Sequence, residues 1–281
     1  MAIIKPKIQN NTSVVEDENI ITPEINILHM YPEDMNIYGD YGNIISLKKR
    51  CLWRAIQVKV YNLNLSGVIT DEQGIQVKEK SISDFDIYFM GGGQDADQAD
   101  VYKDLLNYKS DIKNLVENNK VFLLICGGYQ LFGKSFLTIG GKEIDGLGVL
   151  DVDTVGGDIR CIGNIIVESN ISELKGIKFV GFENHSGRTR ILSNKVNTFG
   201  KVLHGIGNAE SGNQEGGIYK NVYGCYIHGS FLPKNPEFSD MFIKKALDNK
   251  YGENKVKLIE IDDYIEKLAR DRIIKKFLKP A

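Results

Sequence analysis

Four short runs of apolar or alternating residues set the rhythm of the first half of the chain. Residues 25–30, 58–63, 85–90 and 121–125 read as strands, the last as one buried on both faces. Between them lie two stretches with apolar residues at helical spacing, 43–56 and 98–118. Residues 31–42, with Pro32, Gly39 and Gly42, read as a turn-rich connection. This β-α-β-α-β order predicts an α/β fold with a doubly wound, mostly parallel sheet flanked by helices. From 136 to 226 the pattern changes. Glycines become frequent and short alternating runs recur at 164–168, 178–182, 201–203 and 222–227, which reads as an antiparallel or mixed extension of the same sheet. Residues 236–250 and 262–277 read as helices, the latter basic, with a solvated face.

The expected organisation is a flexible extension over 1–24, one domain over 25–250, and a helical tail over 251–281 packed on or beside it. A chain of 281 residues, 42% hydrophobic, is long enough for such a core. The net charge of −2 carries no basic field, so nucleic acid is a poor candidate partner. No apolar run reaches the length of a membrane span, and the N-terminal residues lack the apolar centre of a signal peptide. The four cysteines, Cys51, Cys126, Cys161 and Cys225, form no CxxC pair, so neither a metal site nor a disulfide framework is indicated. A reduced, cytoplasmic protein is the simplest reading.

The chemistry concentrates at the end of the 121–125 run. There Cys126-Gly127-Gly128-Tyr129-Gln130 follows five apolar residues. A strand, a cysteine and a glycine-rich helix start make the pattern of a nucleophile elbow, and the helix N-terminus favours a thiolate. Upstream, Gly91-Gly92-Gly93 ends another strand. Ligands of doubly wound sheets bind outside the carboxyl ends of the strands, so two inward N–H groups, one from each loop, would form an oxyanion hole. A thiol nucleophile needs a base, and the candidates are His29, His185, His204 and His228. His228 ends an alternating run and precedes Gly229, a suitable place for facing a cleft. Taken singly, each glycine triplet and each histidine also fits a structural role.

Together these residues resemble the class I glutamine amidotransferases. Cys126-x-Gly128-x-Gln130 matches the family's elbow, although Leu124 stands where many members have glycine. Residues 90–95 match its oxyanion loop. His228-Gly229-Ser230, with no glutamate two positions after the histidine, is similar to the cobyric-acid-synthase-like branch. Within that branch, the stretches 125–130, 181–189 and 226–236 resemble the freestanding glutaminase subunits of lipid II isoglutaminyl synthases.

The resemblance implies Cys126 and His228 as catalytic residues, oxyanion donors among Gly92, Gly93 and Gly127, and substrate contacts at Arg160 and Gln130. Arg160 lies 34 residues after the cysteine in Gly157-Asp158-Ile159-Arg160. A guanidinium there can grip the α-carboxylate of glutamine bidentately. The third member of a triad stays open: a Cys-His dyad, a carboxylate from a partner, or an acid of this chain such as Glu183. The resemblance further implies a heterodimer with a MurT-like Mur ligase subunit. ATP and Mg would then belong to that subunit, with no cofactor in this chain, and the enzyme would act at the inner membrane face on a lipid-linked substrate. The absence of a GxxxxGK[ST] pattern agrees with that division. Three other readings remain: a glutaminase serving another acceptor such as a cobyrinic-acid-type amidation, a non-catalytic regulatory subunit, and a cysteine peptidase or acyl transferase.

Overall fold

A computed structural model of the chain describes residues 22–93, 95–209 and 212–278. The expected extension thus lies largely outside the described residues. The first sheet has seven strands, in the order Gly217–Tyr219, Val222–Cys225, Val121–Ile125, Ile87–Met90, Glu24–Met30, Gln57–Leu63, Ile69–Asp71. Its centre is built from β1 (Glu24–Met30), β2 (Gln57–Leu63), β4 (Ile87–Met90), β5 (Val121–Ile125) and β13 (Val222–Cys225), all parallel. The antiparallel strands β3 (Ile69–Asp71) and β12 (Gly217–Tyr219) close the two edges. The 87–90 and 121–125 strands are buried at every position, which is why they read as unbroken apolar runs. Tyr88 stacks on Phe122 across them at 4.3 Å.

Helix α1 (Tyr41–Leu52) follows β1 and buries Ile44, Leu47 and Cys51 at helical spacing. The 98–118 stretch, read as one helix, is instead α2 (Asp95–Leu105), a 3-10 turn at Leu106–Tyr108 and α3 (Lys109–Glu117). Val101, Leu105, Ile112 and Val116 keep helical spacing through the break, so periodicity alone could not locate it. Successive connections from β1 lead first to β2 and then back to β4, placing the topological switch point between β1 and β4.

The second half departs from the expected single sheet. Only β12 and β13 extend the first sheet; the remaining strands form a second sheet of six. These are β6 (Ser135–Leu137), β7 (Glu143–Asp145), β8 (Val152–Ser169), β9 (Lys178–Ile191), β10 (Gly200–His204) and β11 (Gln214–Glu215). The long antiparallel pair β8–β9 dominates it. Short alternating runs at 164–168 and 178–182 revealed only fragments of these strands. The rest of β9 turns polar residues inward, burying Glu183, His185 and Thr189, which inverts the pattern by which half-buried strands are recognised.

The short helices α4 (Gly127–Phe132) and α5 (Phe231–Lys234) and the longer α6 (Pro236–Tyr251) and α7 (Tyr264–Phe277) complete the fold. The tail helix α7 leaves most of its side chains exposed or half-buried, with Arg270 buried. It packs against α5 and β9, and Arg270 makes a two-pronged contact with Glu237 of α6. Just before it, Asp263 meets Arg50 of α1, and Arg54 donates to the carbonyl of Ile259.

Candidate active site

Cys126 leaves β5 with φ 51° and ψ −103°, a conformation strongly disfavoured for a residue with a side chain. Such strain costs on the order of 1–3 kcal/mol and persists only where the surroundings enforce it. Here the Cys126 N–H donates to the carbonyl of Cys225 at 2.8 Å, continuing the β5–β13 ladder to its last rung. The Gly128 N–H then donates to the carbonyl of Gly91 at 3.1 Å. A Cβ at Gly128 would stand 2.8 Å from the Met90 carbonyl oxygen, so only glycine permits this approach. The result is the elbow that the sequence pattern indicated, with Cys126 at 6% exposure.

His228 lies just beyond β13 and is fully buried. Its backbone pairs with Phe182 of β9 in both directions, at 2.7 and 3.1 Å, so the second sheet holds it in place. Its Nδ1 sits 3.1 Å from each carboxylate oxygen of Asp40, also fully buried. Its Nε2 has no hydrogen-bond partner among the described residues. Burial alone would lower the histidine's pKa. The charges of Asp40 and Cys126, with the hydrogen bond to Asp40, outweigh it and raise the pKa to about 10. At neutral pH the ring is therefore an imidazolium.

Asp40 is the residue that sequence reasoning missed. It occupies the cap position of α1, where aspartate ordinarily bonds the helix N–H groups, yet it makes no side-chain cap. Its carboxylate instead takes His228 and the N–H of Gly92 at 3.0 Å. The loop carrying it is fastened to the His228 loop by Ser230, whose hydroxyl donates to the Gly39 carbonyl, and by Asn43, which accepts from the Leu232 N–H. Nothing local distinguishes Asp40 from an ordinary helix cap; the signal is its reach across 188 residues. Glu183, the acid considered from the sequence, is engaged elsewhere. It accepts the N–H groups of Ile206 and Gly207 and lies 3.6 Å from His185 Nε2.

The glycine loop closes against this pair. A Cβ on Gly92 would stand 2.8 Å from His228 Cε1 and 3.3 Å from Cys126 Cβ. The Gly92 N–H, expected to face an oxyanion, is committed to Asp40 instead. Gln130, expected as a substrate contact, is buried in α4, and its amide donates to the Tyr226 hydroxyl at 3.3 Å.

Arg160 is at the same rim, exposed, on a stretch where the β8–β9 register shifts between Gly156 and Cys161. Such bulges re-aim side chains. Its Nε donates to Asn184 at 2.6 Å and its Nη2 to the Tyr38 hydroxyl at 2.9 Å. The Tyr38 ring meets His228 edge-on at 5.1 Å. The other histidines are placed structurally. His29 is buried against Phe89 and Tyr41, His185 stacks on Tyr226, and His204 contacts Phe277 of α7.

The strained Cys126 elbow and the Asp40-held His228 lie together beyond the carboxyl ends of the parallel strands, where ligands of doubly wound sheets bind. Residues 26–236 match the CobB/CobQ-like glutamine amidotransferase domain. The chain belongs to that family and is a glutamine-hydrolysing amidotransferase. It is 40% identical over 227 residues to the lipid II isoglutaminyl synthase (glutamine-hydrolyzing) subunit GatD of Staphylococcus aureus, covering 81% of this chain and 86% of that one. It is 35% identical to the GatD subunit of Streptococcus pneumoniae, covering 92% and 93%. A solved glutamine amidotransferase superimposes with a TM-score of 0.51 at 16% identity, covering 78% of this chain and 98% of that chain, a likeness of fold. Among the described residues, no helix is long and apolar enough to cross a membrane.

Proposed function

We propose that this chain is the glutaminase subunit of a lipid II isoglutaminyl synthase, working through a Cys126–His228–Asp40 triad. The observation that carries the reading is the pairing of the strained Cys126 elbow with a His228 whose Nδ1 is held by a buried Asp40. Arg160, oriented by Asn184 and Tyr38, receives the α-carboxylate of L-glutamine. The Cys126 thiolate attacks the side-chain carboxamide carbon, and the N–H of Gly127 at the start of α4 stabilises the oxyanion. His228 Nε2 gives its proton to the departing amide nitrogen, and ammonia leaves as the carbon–nitrogen bond breaks. A glutamyl thioester remains. Neutral His228 then takes a proton from water, the hydroxyl adds to the thioester carbon, and glutamate departs from the restored thiolate.

The ammonia passes to a MurT-like Mur ligase subunit. That partner would hold ATP and Mg and activate the α-carboxyl of D-glutamate in the lipid II stem peptide, giving D-isoglutamine during cell-wall synthesis at the cytoplasmic face of the membrane. The extent of similarity to the two GatD subunits favours this acceptor over a cobyrinic-acid-type one.

The test is intact-mass spectrometry after incubation with a diazoketone analogue of glutamine, followed by peptide mapping. A single adduct on Cys126 is expected. Absence of an adduct both alone and with the co-purified ligase subunit would overturn the glutaminase reading.

A further inference from the structure

We infer that Glu215 is a positioning residue for His228: buried where the chain crosses between the two sheets, its carboxyl holds the backbone that carries the base. The inference rests on the reading of His228 as the active base. Glu215 ends β11 in the second sheet, and β12 of the first sheet begins two residues later. Its side chain is fully buried, and its Oε1 accepts the Tyr226 N–H at 2.5 Å. That N–H belongs to the segment leaving β13, after the ladder to β5 has ended at Cys225 and before His228 bridges to Phe182. A buried backbone N–H needs an acceptor, and Glu215 supplies it from the other sheet.

The same segment is gripped through the Tyr226 side chain. Its hydroxyl bonds Thr189 at 2.6 Å and accepts from Gln130, while its ring stacks on His185 at 3.9 Å. His185 in turn lies against Glu183. The polar inward face of β9 thus has a use: it and Glu215 set where His228 stands relative to Cys126. The arrangement needs an acceptor at position 215 and no charge. Burial pushes the Glu215 carboxyl up to about 8, with the nearby Glu183 charge adding to the effect. The other titratable groups around it are Tyr129 of α4, Cys225, Tyr226 and His228.

Glutamine at this position retains the acceptor, whereas leucine removes it. Glu215→Leu is expected to lower kcat on the order of 10²-fold, the scale of a roughly 1 Å misplacement, with KM little changed. It is also expected to shift the pH profile of Cys126 alkylation by iodoacetamide, which reports the thiolate–imidazolium pair without glutamine. Glu215→Gln is expected to restore both. Glu215→Gln should in addition remove the decline of stability as pH rises from about 4.5 to about 8. In that window wild-type Glu215 binds its proton only in the folded state, so folding weakens as pH increases.

A cooperatively folded Glu215→Leu protein with wild-type kcat and alkylation profile would overturn the inference. So would a Glu215→Gln protein as impaired as Glu215→Leu. If leucine prevents folding, Glu215→Asp, one methylene too short to reach Tyr226, takes its place with the same expected losses. A wild-type protein that releases no glutamate even with its ligase would refute the glutaminase reading, while the alkylation comparison would still decide the role of Glu215.

Discussion

Asp40 and His228 lie 188 residues apart in the chain, yet both oxygens of the one sit 3.1 Å from Nδ1 of the other in a site closed to solvent. In the proposed mechanism the carboxylate fixes the ring's orientation and stabilises the imidazolium. Under the proposed mechanism this chain supplies the third member of the triad itself.

Replacing Asp40 with Asn keeps the shape and removes the charge. His228 should lose its elevated pKa of about 10, and the alkaline limb of the pH–kcat profile should move toward neutrality. The expected fall in kcat is about 10²–10⁴-fold. Wild-type folding should weaken as pH rises between the ordinary histidine value of 6.5 and about 10, because the raised group binds its proton only in the folded state. A flatter stability curve in the Asn variant, read by denaturant melts, checks the sign. Wild-type kcat in that variant would mean that cysteine and histidine suffice.

Cys126→Ala and Cys126→Gly should both abolish glutamate release, but they should differ in stability. Alanine keeps the Cβ at a φ of 51°, whereas glycine relieves that strain. The glycine variant is expected to be the more stable of the two by about 1 kcal/mol, read from urea midpoints. Equal midpoints would show that the elbow stores little strain.

Arg160→Ala should act on binding. Loss of a charge-assisted contact to the substrate carboxylate is worth about 1.5–3 kcal/mol, or roughly 10–150-fold in kcat/KM, chiefly through KM. Lysine should not rescue it, because a point charge cannot reproduce the planar fork that Asn184 and Tyr38 orient. Steady-state kinetics with glutamine gives the answer, and an unchanged KM would remove Arg160 from the substrate site.

Asp263→Ala should loosen the tail. Arg50 has 4% of its side chain exposed and Asp263 has 9%, so removing the acid strands a buried cation. The expected loss is about 3–5 kcal/mol, reduced to the extent that Asp240 remains as a second partner. Thermal melts and hydrogen exchange over α7 would measure it. Unchanged exchange there would show that Arg270–Glu237 and the α5 and β9 contacts hold the helix without the ion pair.

What the sequence determined by itself is the chemistry that local backbone geometry encodes. Five apolar residues, a cysteine and two glycines specify strand, elbow and helix within ten positions. Gly91–Gly93 must end a strand where backbone approaches closely, and Arg160 and His228 stand in short stretches that can be recognised as they are. The parallel sheet was legible for the same reason, since strands buried on both faces announce themselves as continuous apolar runs. Tertiary structure decided which side chains meet. Asp40 looks like a helix cap until the fold brings His228 to it. The Gly92 N–H looks available until Asp40 takes it, and nothing local shows that the Gln130 amide meets Tyr226. The second sheet was hidden because β9 buries glutamate, histidine and threonine, whose partners come from other strands. Periodicity reports whether a position faces inward or outward, but hydrogen-bond pairing inside a closed site depends on register between segments far apart in the chain.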